Sequence, residues 1–142
     1  MDNNDFNKLI NLLTLSLIQP TKIEFERCGF FPEENSQIQI NWKVLYPSEP
    51  FEIEENVLKL FPLFEVELSH NNEVLYIHKS IFCVLLTIND KENFDFLWKN
   101  EEIQKFFKEK QIVKTLWPIV RQQVLDGLSR LALPSIPLPW LF

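Results

Sequence analysis

The residues of this sequence that could do chemistry are two histidines, two cysteines and the adjacent glutamate pairs Glu33-Glu34, Glu54-Glu55 and Glu101-Glu102. His78, with Ser80 and a carboxylate from elsewhere, could imitate a nucleophilic triad. The surrounding stretch, IHKSIFC, has no G-x-S-x-G elbow to expose an activated serine. His70 and His78 lack a third ligand at metal-binding spacing, so no metal site is expected. Cys28 and Cys83 form no CxxC pair and read as reduced thiols. Catalytic carboxylates need an apolar pocket to separate their pKa values, and the glutamate pairs read as solvated charge. Gly29 and Gly127 are the only glycines, too few for a phosphate-cradling loop. The expectation is a protein with no catalytic residues, no metal and no cofactor, and not an enzyme.

The chain has 142 residues, suited to a single domain over 1–142, and 46% of them are hydrophobic, which tells against disorder. It holds 13 Phe and 4 Trp, an excess that fits a contact surface or an A+T-rich coding sequence. The net charge of −6, without a basic stripe, excludes nucleic acid and anionic membranes as natural partners. The start, MDNNDF, is acidic and no small-residue cleavage site follows, unlike a secretory signal. A cytoplasmic location is expected.

These residues must be positioned by the elements around them. Residues 1–19 read as an amphipathic helix capped by Asn3, Asn4 or Asp5 and ended before Pro20. Residues 21–89 read as four strands. Thr21–Arg27 alternates, and Ser36–Tyr46 does so cleanly, with Ile38, Ile40, Trp42, Val44 and Tyr46 on one face. Val57–Leu68 and Val74–Asn89 form a long hairpin turning at Asn71-Asn72, with Pro62 marking an edge or a bulge. Ile81 to Leu86 is apolar on both faces, which implies cover on both sides of the sheet. Residues 92–132 read as helices, one from about Glu92 or Asn100 to Lys110, and another capped by Thr115 with Pro118 in its first turn. A Pro-rich apolar tail fills 133–142, its Trp140 and Phe142 expected to dock and close the core. The fold class is α+β, a four-stranded antiparallel sheet with helices packed on one face.

LWPIVRQQV at Leu116–Val124, LSR at 128–130 and LPSIPLPWLF at 133–142 resemble the protein-export chaperone SecB. Leu116, Trp117, Pro118 and Arg121 match the family's leucine–aromatic–proline step with its following arginine. Leu133-Pro134, Leu138, Pro139 and Phe142 match its Pro- and Leu-rich ending, with Leu141 where the family prefers Asn. Upstream, LSLIQPTKIEFE at 15–26 resembles the opening strand, and FEVELSHNNEVLYIHKSIFCVLLTI the central hairpin.

The resemblance implies an ATP-independent holdase that binds an unfolded client in apolar grooves and assembles as a dimer or dimer of dimers. The groove would be lined partly by the crossover between the first two strands, where Gly29, Phe30, Phe31 and Pro32 stand, and partly by the helix and hairpin beneath it. The client-binding candidates are Phe30, Phe31, Trp42, Phe61, Phe64, Trp140 and Phe142. The sequence departs from the export type at the N-terminal helix, in the charged segment after the hairpin, and in stopping before the tail that contacts the SecA motor. Those departures tell against delivery to SecA and suit a dedicated client such as an antitoxin. The alternatives are a general export chaperone delivering preproteins to the translocase and a non-chaperone oligomeric interaction domain.

Overall fold

The computed structural model describes residues 3–32, 37–47 and 51–139. In chain order these form α1 (Asn3–Asn11), β1 (Leu13–Arg27), β2 (Gln39–Leu45), β3 (Glu52–Glu54), β4 (Val57–Leu60), β5 (Leu63–His70) and β6 (Glu73–Ile88). Then come α2 (Lys91–Trp98), α3 (Glu101–Phe106), a π-helical segment (Phe107–Gln111) and α4 (Ile112–Arg130). The architecture is α+β, with all strand pairs antiparallel.

The sheet has six strands rather than the expected four, because two strand positions are interrupted. Leu60 lies opposite Val84 and Leu63 opposite Ile81, so β4 and β5 run along one edge of β6 with no change of register. Pro62 breaks them because it has no N–H to give the ladder. Its carbonyl still accepts a 3.0 Å bond from the Phe82 amide, which carries the register across the gap. β2 and β3 likewise share the outer edge of that strand, and β1 takes the other edge of β6. Asn71 and Asn72 turn the β5–β6 hairpin with φ of 49° and 63°, the left-handed pair that a two-residue turn of this twist requires.

The expected helix over residues 1–19 is half as long. It ends at Asn11, with the Leu12 amide bonded to the Leu9 carbonyl at 3.0 Å, and a 15-residue strand begins at Leu13. The local pattern LTLSL has the period of a strand, and pairing with β6 rewards it. Pro20 stops nothing: it sits in β1 opposite Phe82, beside a register shift at Thr21, on an edge where a missing amide is tolerated. The helices after the hairpin also differ. Asp90 caps α2, accepting from the Asn93 amide at 3.2 Å, and Asn100 caps α3, accepting from Glu102 at 2.9 Å. From there helix runs on to Arg130, so Thr115 caps nothing and its hydroxyl donates to the Gln111 carbonyl at 2.8 Å. Pro118 lies inside α4.

α4 ends at Arg130 and the chain turns at Ala132, whose φ is 56°, with the Leu133 amide bonded to Leu128 O and the Ala132 amide to Ser129 O. This pairing satisfies the last carbonyls and turns the chain back. Ile136 and Leu138 are then buried against the core. Trp140 and Phe142 lie outside the described residues.

The core sits between the sheet and the helices. Phe64, Tyr76, Phe82, Phe94, Phe107 and Trp117 are fully buried. Trp98 stacks on Phe94 with ring centroids 5.3 Å apart and meets Phe51 and Phe107 edge-on. Such contacts add about 0.5–1.5 kcal/mol each beyond area burial. Among the described residues the helices cover one side of the sheet: Phe82, Val84 and Leu86 are buried under them, while Ile81, Cys83 and Leu85 are half-buried on the opposite face.

Candidate binding surface

The crossover after β1 is held tightly to the sheet. The amides of Cys28 and Gly29 both donate to Leu75 O, at 2.7 and 3.2 Å, and Arg27 Nε donates to Gly29 O at 3.0 Å. Gly29 allows that approach, since a Cβ there would stand 3.1 Å from Val74 O and 3.2 Å from Leu75 Cδ2. The two phenylalanines that follow separate. Phe31 packs against the core, whereas Phe30 is 89% exposed, with the Arg27 guanidinium 5.2 Å from its ring centroid.

The other candidates divide similarly. Trp42 is half-buried and packs on Trp117, ring centroids 5.3 Å apart, as part of the core. Phe64 is fully buried and meets Phe82 edge-on, so no client could reach it without opening the sheet. Phe61 is half-buried outside the core cluster. The described candidates therefore do not form one cluster, and among them Phe30 is the one fully exposed.

The most accessible apolar strip was missed in the sequence because its first part was read as helix. β1 is an edge strand, with no second strand beside it among the described residues. Its 15 residues present a ladder edge about 50 Å long at about 3.3 Å per residue. Leu15, Leu17 and Ile23 are 47%, 38% and 48% exposed along it. The alternation of LTLSLI was the signal that could have revealed this. Beside the first part of β1 lies an apolar groove of about 230 Å³. Leu15, Val84 and Leu86 line it from the sheet, Ile10 from α1, and Phe107 and Leu116 from the helices across. A π-helical segment forms part of one wall, a feature frequent at functional sites. Tyr46 anchors that segment, its hydroxyl donating to Lys108 O at 3.0 Å, and burial raises its pKa well above the usual phenol value. Extended polypeptide could pair with β1 and place alternate side chains in this groove.

The polar residues of β6 offer different chemistry. His78 is buried beneath α4, with Nε2 3.3 Å from Gln123 Oε1, and burial lowers its pKa. An amide thus stands where a triad would need a carboxylate. The Ser80 hydroxyl and His78 Nδ1 have no hydrogen-bond partner among the described residues. Among the described residues no group of three His, Cys, Asp or Glu side chains is arranged to hold a metal. No described helix is long and apolar enough to cross a membrane.

No protein-family model matches the chain, and no curated protein does. Among solved structures it is similar to a SecB-like chaperone of Mycobacterium tuberculosis, captured in complex with a ChAD peptide from the HigA1 antitoxin, with a TM-score of 0.74. The match covers 98% of each chain at 14% identity. The chain has a SecB-like fold. At that identity the likeness is one of backbone architecture. Within the SecB-like frame, the leucine–aromatic–proline step sits in α4, where Leu116 and Trp117 are buried and Pro118 faces solvent.

Proposed function

We propose that this protein is an ATP-independent holdase that captures an extended apolar segment of an unfolded client along β1. The observation that carries the reading is the β1 edge, which no strand among the described residues pairs, flanked by exposed Leu15, Leu17 and Ile23 and by the apolar groove. A client strand would gain backbone hydrogen bonds from the edge and bury its apolar side chains at roughly 25 cal/mol per Å². Phe30 would extend the contact at the far end of the strand. Recognition of apolar content rather than sequence needs no cofactor, no metal and no catalysis. The SecB-like fold, in a relative solved with an antitoxin peptide, supports a dedicated client of the antitoxin type. The protein would act in the cytoplasm as a homo-oligomer.

The test is suppression of aggregation of a chemically unfolded, unrelated protein, together with titration of an apolar antitoxin-like peptide. The parent protein suppresses aggregation and binds the peptide. Leu15→Asp with Ile23→Asp weakens binding about tenfold or more while the circular dichroism spectrum is unchanged. Absence of both activities in the parent removes the holdase reading, and leaves β1 as a subunit interface of an interaction domain.

A further inference from the structure

α1 stands between two grooves. On one flank lies the groove of about 230 Å³ beside β1, with Ile10 in its wall. On the other, Lys8 and Asn11 of α1 face Phe96 and Leu97 of α2 across a second groove of about 460 Å³. Phe96 is 74% exposed there, an aromatic ring that the core does not absorb. At about 100° per residue, Leu9 projects between the Lys8 side and the Ile10 side of the helix, and it is fully buried. Phe6, one turn earlier, meets Phe106 edge-on with ring centroids 4.7 Å apart. Phe6, Leu9 and Ile10 therefore hold α1 in a slot that has a groove on either side.

This helix is short and lightly held. Its 9 residues are fewer than the ~12–15 that an isolated helix needs in water, so α1 depends on the slot for its structure. Leu9 is its one fully buried residue, while Phe6 and Ile10 are half-buried. The chain is pinned just beyond the helix: the Asn89 amide donates to Leu12 O at 2.8 Å, and Asn89 Nδ2 to Thr14 Oγ1 at 3.0 Å. A swing of α1 about Asn11–Leu12 therefore leaves β1 in place. We propose that α1 is a displaceable plug seated in the client site, whose departure joins the two grooves into one trough from Phe96 to Leu15. On the holdase reading, on which this rests, the client carries an amphipathic stretch beside the extended one that pairs with β1. Its apolar residues recur at i, i+3 and i+4, the spacing of Phe6, Leu9 and Ile10, because the slot accepts what it already holds. The plug covers apolar surface while no client is present, and it lowers apparent affinity by the fraction of molecules in which it is open.

The experiment measures hydrogen exchange by mass spectrometry on the full chain, alone and with reduced, carboxymethylated α-lactalbumin, a polypeptide that cannot refold. On binding, the amides of residues 7–11, protected by the hydrogen bonds of α1 itself, exchange faster, while those of α4 are unchanged. Affinity for the same probe moves in opposite directions in two variants. Phe6→Ala loosens the plug and lowers the dissociation constant by about threefold or more. Asn7→Ala, on the exposed side of α1, strengthens the helix through the propensity of alanine and raises the constant by about twofold. Circular dichroism confirms that each variant is folded, and Asn7→Ala keeps the test decisive should Phe6→Ala fail to fold. A parent that binds with residues 7–11 as protected as before, or variants that bind as the parent does, would overturn the plug and leave the holdase reading standing. Binding by Phe6→Ala but not by the parent supports a plug that is almost always shut. No binding by the parent or by either variant removes the holdase reading and the plug together.

Discussion

The indole N–H of Trp117 donates a 2.8 Å hydrogen bond to the carbonyl of Pro139, tying α4 to the Pro-rich segment that follows it. The two residues are 22 positions apart, with the turn at Ala132 between them. Trp117 is fully buried and also packs on Trp42, so one side chain joins sheet, helix and tail. Trp117→Phe removes the donor and leaves the Pro139 carbonyl unpaired. The expected cost is about 1–3 kcal/mol in urea unfolding. Limited proteolysis between Leu133 and Pro139 should accelerate by more than that global loss explains, because the tail loses its anchor.

Gly127 inverts the usual rule for helix interiors. Replacing an interior helical glycine by alanine ordinarily gains about 0.5–1 kcal/mol. At Gly127 a Cβ would collide with the Tyr76 hydroxyl and press on the Phe25 ring at 3.2 Å. Gly127→Ala is therefore expected to destabilise by about 1–3 kcal/mol. The Tyr76 hydroxyl is buried without a hydrogen-bond partner among the described residues, so Tyr76→Phe alone is near neutral or stabilising. The double variant should recover much of the loss, and strict additivity in a double-mutant cycle would contradict the collision.

Phe30 and Phe31 separate stability from binding. Phe30→Ser alters a side chain in solvent and should change unfolding free energy by less than about 0.5 kcal/mol while weakening client binding. Phe31→Ser opens the core edge and should cost about 2 kcal/mol. Equal destabilisation by the two would refute the division between them.

His78 makes stability depend on pH. Burial lowers its pKa from the ordinary 6.5, opposed in part by the Gln123 hydrogen bond. The unfolded chain then binds a proton that the folded chain resists. The contribution of neutral His78 is fully present above about pH 6.5 and declines as pH falls through that value toward the lowered folded pKa. His78→Gln should flatten this part of the stability–pH curve, measured by urea midpoints between about pH 5 and 8. A curve of unchanged shape would show that another group titrates there.

Much of the sheet was legible from local pattern. Asn71-Asn72 announced the hairpin because few residues accept two successive left-handed conformations, and the alternation of Ile40, Trp42 and Val44 named the buried face of β2. The resemblance carried by Leu116, Trp117, Pro118 and Arg121 pointed to the architecture that the structure shows. Residues 13–18 were misread because leucine and isoleucine at close spacing satisfy both a helix and a strand, and only pairing with β6 separates the two. Phe64 was misassigned for a related reason: alternation says that neighbours face opposite ways, and not which side the helices cover.

The sequence by itself determined the periodicities, the turns, the acidic charge and the absence of a recognisable catalytic motif, all of which depend on residues close together along the chain. Tertiary structure alone decided which strand lies at the edge, which phenylalanine is in solvent, and that Lys43, Glu65, Lys79 and Glu24 form one row. Those properties arise from register between strands distant in sequence. Register is set by burying one whole face of the sheet under the helices, a cooperative condition that no short segment records.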